Sequence, residues 1–111
     1  MGSEQTISLS EKISDQISGI VLIFSRNNIS TNSVIDDDYS LHFIPKGILK
    51  LRDSFGVNFS MHNVNYYYNV TKYLAIFDSS IQGSSYNTTS GTNAGITYNN
   101  NYYALRAVIG V

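Results

Sequence analysis

The run Gly19-Ile20-Val21-Leu22-Ile23-Phe24-Ser25 constrains this chain more than any other stretch. Five consecutive apolar residues lie between Gly19 and the polar Ser25-Arg26-Asn27-Asn28. That length suits a strand and is too short for a helix, and its lack of alternation reads as burial on both faces. Two later stretches share the character: Lys72-Tyr73-Leu74-Ala75-Ile76-Phe77-Asp78, and Ala104-Leu105-Arg106-Ala107-Val108-Ile109-Gly110-Val111. Together they predict the centre of an all-β core.

The remaining segments are strand-like by alternation and are separated by polar turns. Gln5 to Leu9 alternates, and Ser10 to Ile17 reads as a connection with room for one short helix. Arg26 to Tyr39 is a surface loop by composition. Strands are predicted from Ser40 to Pro45, from Val57 to His62 with Val57, Phe59 and Met61 inward, and from Val64 to Val70. Short strands follow at Ile81 and at Ala94 to Tyr98, with a soft region from Ser84 to Asn93 between them. Asn99-Asn100-Asn101 reads as a tight hairpin turn, because Asn tolerates positive φ. Eight or nine strands at such spacing predict a single antiparallel β-sandwich, jelly-roll-like, with at most one short helix. Connections too short for helical crossovers make the sheets mainly antiparallel.

With 111 residues the chain is one domain by size. Met1-Gly2-Ser3 reads as a vector-derived leader, leaving 4–111 as the domain. There are no cysteines, so no disulfide or zinc-thiolate framework supports it. Charged residues are 14% of the chain, against roughly 25% in ordinary domains. The net charge of -1 and the lack of a basic cluster leave no electrostatic footprint for nucleic acid. No apolar stretch approaches the ~20 residues of a membrane helix, and Met1 to Glu4 has no signal-peptide pattern. An apolar ending, Val108-Ile109-Gly110-Val111, is expected to be held in a sheet or at a subunit contact.

Catalytic chemistry finds little support. Asp36-Asp37-Asp38 lacks the alternate spacing and turn glycine of a calcium loop and reads as a solvated loop. His42 and His62 lie on separate predicted strands with no second imidazole at ligand spacing, so no metal site is predicted. No carboxylate pair of the glycosidase kind is evident among eight acidic residues. The sequons at Asn28, Asn58, Asn69 and Asn87 fit chance in so Asn-, Ser- and Thr-rich a chain. Tyrosine is more informative: nine are present, with no tryptophan. Neither Tyr66-Tyr67-Tyr68 nor Tyr102-Tyr103 can all point inward from one strand, so some phenols are expected at the surface or an interface.

The order of Ser18-Gly19-Ile20-Val21-Leu22-Ile23-Phe24-Ser25, Phe43-Ile44-Pro45-Lys46, Thr71-Lys72-Tyr73-Leu74-Ala75-Ile76-Phe77-Asp78 and Ile81-Gln82-Gly83 carries a resemblance. It continues through Asn93-Ala94-Gly95-Ile96-Thr97-Tyr98 to a terminal Leu105-Arg106-Ala107-Val108-Ile109-Gly110-Val111. The chain resembles, from about Thr6 onward, the C-terminal domain of tail fibre, baseplate and minor structural proteins of phages and prophages of low-GC Gram-positive bacteria. The resemblance implies a non-enzymatic virion protein, a homotrimeric head without cofactors that meets other tail proteins and host cell-wall or surface polysaccharide. It implies neither nucleic-acid binding nor membrane insertion. Ligand contacts are then expected from Asp36, Asp37, Asp38, Tyr39, Tyr67, Tyr86, Asn87 and Tyr102. Subunit contacts are expected from Tyr66, Tyr68, Val108 and Val111. The alternative is a structural module that trimerises or caps a fibre, or docks to another virion protein. A depolymerase is disfavoured by the scarcity of acidic residues.

Overall fold

The computed structural model describes residues 5–62 and 69–111. In chain order its strands are β1 (Thr6–Ser8), β2 (Gly19–Asn28), β3 (Ser33–Val34), β4 (Ser40–Pro45) and β5 (Ser54–His62). They continue with β6 (Asn69–Phe77), β7 (Ser80–Gln82), β8 (Ser90–Asn93), β9 (Ile96–Asn99) and β10 (Tyr103–Gly110). Strands β1, β7, β6, β9 and β8 follow one another across one sheet, with β5 also paired to β6. In the other sheet β2 pairs with β10, β3 and β4. The domain is thus all-β and two-sheeted, with one sheet curled into an open half-barrel. Among the described residues all pairings are antiparallel except a single parallel bridge between Asn69 and Tyr98. No α-helix occurs among the described residues. Four short 3-10 segments stand where at most one short helix was expected.

Alternation builds the core. Ile20, Leu22 and Phe24 of β2 point inward and meet Val70, Leu74 and Ile76 of β6 and Phe59 and Met61 of β5. Burying a side chain of this size contributes about 1.5–3 kcal/mol. The sheets are bridged by three rings: Phe24 lies 5.8 Å from Phe59 and 5.6 Å from His42, and His42 lies 5.2 Å from Phe59. His42 is half-buried, its ring bonded at Nε2 to Ser40 Oγ at 2.8 Å, and burial holds its pKa below the ordinary histidine value.

Three expectations are corrected. The run Ile20–Phe24 is buried on one face only, because no third layer among the described residues covers Val21 and Ile23. Tyr102 and Tyr103 are both buried. Strand alternation does not govern them, since Tyr102 ends a 3-10 turn (Asn100–Tyr102) and Tyr103 starts β10. The Asn99–Asn101 stretch is this 3-10 crossover between sheets. The hairpin turn lies instead between β8 and β9, where Ala94 (φ 51°) and Gly95 (φ 81°) both take the positive φ that a two-residue turn demands.

Two local devices fix the second sheet. Gly19 has φ 154°, and a Cβ there would run into the Ile44 carbonyl, so glycine permits the close β2–β4 approach. The β2–β10 register shifts between Leu105 and Ala107, a bulge that makes Arg106 the extra residue. Beyond β10, the Val111 N–H donates to the Gly19 carbonyl (3.0 Å), and the Val111 carbonyl accepts from Ser18 (2.7 Å) and Gly19 (3.1 Å).

Candidate functional site

The free edge of β6 sets the site. Its other edge pairs continuously with β5, but on this side β6 meets β9 only at Asn69 and β7 only at Ala75 and Ile76. A gap at Thr71 and Tyr73 would leave strand backbone groups without partners. Two buried asparagines fill it. Asn87 accepts the Tyr73 N–H on Oδ1 at 2.6 Å and donates from Nδ2 to the Tyr73 carbonyl at 2.9 Å. Asn100 accepts the Thr71 N–H at 3.0 Å and donates to the Tyr86 carbonyl at 3.1 Å and to Thr89 Oγ1 at 3.1 Å.

Between these two anchors on β6 lies Lys72, facing inward with Val70 and Leu74 and opposite Phe59 in the β5 register. It is 1% exposed, and its amine donates to the Asn87 carbonyl at 2.9 Å. Burial pushes its pKa down to about 8. The Asn87–Thr88 peptide that carries this carbonyl borders a cleft of about 770 Å³ between the sheets, where Thr88 and Lys72 meet Asn27, Asn32, Asn101 and Thr6. No acidic residue among the described ones lines it. Asn27 braces the wall, donating to Asn32 Oδ1 at 3.2 Å and to the Asn101 carbonyl at 3.0 Å. A groove of about 360 Å³ continues past Ile7 and Leu105 along β10. Amide and hydroxyl groups in such a cleft suit the hydroxyls of a polyol ligand.

A second feature is the outer face of the four-stranded sheet. The register sets Ile109, Val21 and Phe43 in one row and Ala107, Ile23 and Leu41 in the next. Leu41 is 64%, Phe43 53% and Ile109 47% exposed. A polar cluster closes one end. Arg106 donates to Asp36 Oδ1 at 2.7 Å and to Ser25 Oγ at 3.0 Å, and Tyr39 donates to Asp36 at 3.3 Å. The Arg106 hydrogen bond, then its charge, holds the Asp36 carboxyl below the ordinary aspartate range.

The expected ligand residues are therefore dispersed. Asp37 takes a two-pronged bond from Arg26, at 2.9 Å on each oxygen, and Asp38 lies 4.0 Å from the same guanidinium. The aspartate run thus fastens the loop to β2 and β10 through arginines rather than standing free in solvent. Among the described residues no group of three or more His, Cys, Asp or Glu is placed to hold a metal. Tyr86 is exposed and shares a shallow depression with Tyr98. Asn87 and Tyr102 are buried, which corrects the expectation that they offer surface contacts; Asn87 is drawn in by the Tyr73 backbone and Tyr102 by the core. Tyr66, Tyr67 and Tyr68 lie outside the described residues. Of the expected subunit contacts, Val108 packs against the core and Val111 is exposed beside the apolar face.

The two predicted polar loops border one cleft through Asn32 and Thr88, which were not singled out. Lys72 escaped notice inside an apolar run, although its spacing from Val70, Leu74 and Ile76 marked an inward position. Comparison with family models, with curated proteins and with solved structures returned no match.

Proposed function

We propose that this chain is the distal head module of a phage tail fibre or baseplate protein. In this reading it is a jelly-roll-like sandwich that works as a homotrimer on the virion and binds host cell-wall or surface polysaccharide without cleaving it. The cleft between the sheets carries the reading, because its lining includes the neutral amide and hydroxyl side chains of Gln5, Thr6, Asn27, Asn32, Thr88 and Asn101. Such groups match sugar hydroxyls in both donor and acceptor sense. Exposed Tyr86 and half-buried Tyr98 line a shallow depression that offers aromatic surface for stacking.

A specific observation favours a second role beside it. Monomers rarely expose a contiguous apolar patch larger than a few hundred Å². The Leu41, Phe43 and Ile109 face supports subunit contact in the trimer, and it equally supports the alternative of a module that only trimerises, caps a fibre or docks to another tail protein.

The test is binding of the labelled, natively assembled protein to intact host cells before and after surface glycan is stripped. Binding that disappears with the glycan, and that blocks phage adsorption, is the expected result. A folded, assembled protein that ignores the cells would leave only the structural module.

A further inference from the structure

Lys72 poses a physical problem that the rest of the core does not. An ammonium carries three donors, and here one meets a neutral carbonyl, that of Asn87. No salt bridge among the described residues involves it. Enclosing an ammonium without a counter-charge costs several kcal/mol, whereas a methionine would fill the same volume at no such cost. The amine stands beside the Asn87–Thr88 peptide, and both Lys72 and Thr88 line the cleft.

We propose that this cleft takes a saccharide bearing a carboxylate or phosphate group, with the anionic group drawn to the charge of Lys72 behind the cleft wall and the sugar hydroxyls on Asn32, Asn101, Thr88 and Thr6. The inference rests on the glycan-binding reading and names the class of glycan. Three observations carry it. The cleft, about 770 Å³, lies within the roughly 300–1,000 Å³ of small-ligand sites. Among the described residues its lining contains no carboxylate to compete with a ligand anion. Its polar wall is braced in advance by Asn27, so its side chains need little reordering to receive a ligand.

Protonation then couples to binding. Lys72 faces Phe59 across the strand pair and Asn87 at its tip, and Tyr103 is the other titratable residue lining the cleft. An anion nearby favours the charged amine, so binding takes up a proton once pH approaches the lowered pKa of about 8.

The experiment is calorimetry on the whole chain with three probes of similar length: an oligoglucuronate, an oligo(glycerol phosphate) and a neutral oligoglucan. At least one acidic probe is expected to bind roughly tenfold or more tighter than the glucan, and which one does so separates carboxylate from phosphate. Lys72→Met is expected to abolish that margin. Repeating the wild-type titration at pH 8 in buffers of different ionisation heat is expected to show proton uptake, a readout that stands even where Lys72→Met fails to fold. Equal affinity for acidic and neutral probes overturns the anion site and leaves glycan binding intact. Acidic binding without proton uptake, or with its margin preserved in Lys72→Met, overturns it as well. No binding of any acidic probe also overturns it, and the whole-cell assay then decides the broader reading independently.

Discussion

Asn87 brackets the peptide backbone of Tyr73, taking its N–H on Oδ1 at 2.6 Å and giving Nδ2–H to its carbonyl at 2.9 Å. One side chain thereby does what an adjacent strand residue would do. Removing it leaves two buried backbone groups without partners, each worth about 1–3 kcal/mol. Asn87→Ala is expected to destabilise the domain by about 3 kcal/mol in urea unfolding. Asn87→Asp keeps the acceptor but loses the donor and is expected to fall in between. A midpoint unchanged in Asn87→Ala would show that the bracket carries no stability.

The lowered pKa of Lys72 makes stability rise with alkalinity. Below about pH 8 the amine is charged in both folded and unfolded chains, and the burial cost is fully present. Between about 8 and the ordinary lysine value near 10.5, the unfolded chain binds more protons, so stability increases with pH. The gain across that window is of the order of 3 kcal/mol. Subtracting the pH profile of Lys72→Met from that of the wild type isolates it from tyrosine ionisation. A flat difference would mean that the amine titrates normally.

The apolar outer face predicts assembly through Leu41 and Phe43. Leu41→Asp and Phe43→Asp each place a charge where a partner would remove water, and together they are expected to weaken self-association by about a hundredfold or more. Both side chains are more than half exposed, so the thermal midpoint of the isolated domain is expected to stay within a few degrees. Light scattering coupled to gel filtration reads the mass directly. A wild type that is monomeric at high micromolar concentration would count against the face as a subunit contact.

Gly19→Ala tests the close approach of β2 to β4. A Cβ at this φ of 154° meets backbone, the Ile44 carbonyl, rather than a movable side chain. The substitution is expected to cost about 2 kcal/mol or more, chiefly by opening the β2–β4 pairing. Hydrogen exchange at Val21 and Phe43 should accelerate before that at Leu74. Unchanged exchange would show that the strand shifts without penalty.

The strands were legible because their physics is local. The apolar run at Ile20–Phe24 and the alternation of Val57, Phe59 and Met61 need only neighbouring residues to be read. The Asn-rich stretches were not legible in the same way. Asn87 and Asn100 look like loop residues by composition, and their role depends on a gap in β6 produced by strands far away in the chain. The aspartate run was read as solvated because its partners, Arg26 and Arg106, come from β2 and the far end of the chain. Tyr102 and Tyr103 misled because alternation was applied across a 3-10 turn, where it has no force.

The bulge at Arg106 bears on how copies of this chain avoid one another. A long, regular terminal strand invites further strands to add along its open side, the route by which β-proteins aggregate. β10 is such a strand, paired among the described residues with β2 alone. Its extra residue breaks the ladder repeat and carries a guanidinium, which spoils the template for strand addition. In the trimeric reading, contacts between copies are therefore expected at the faces of the sandwich and not at its borders.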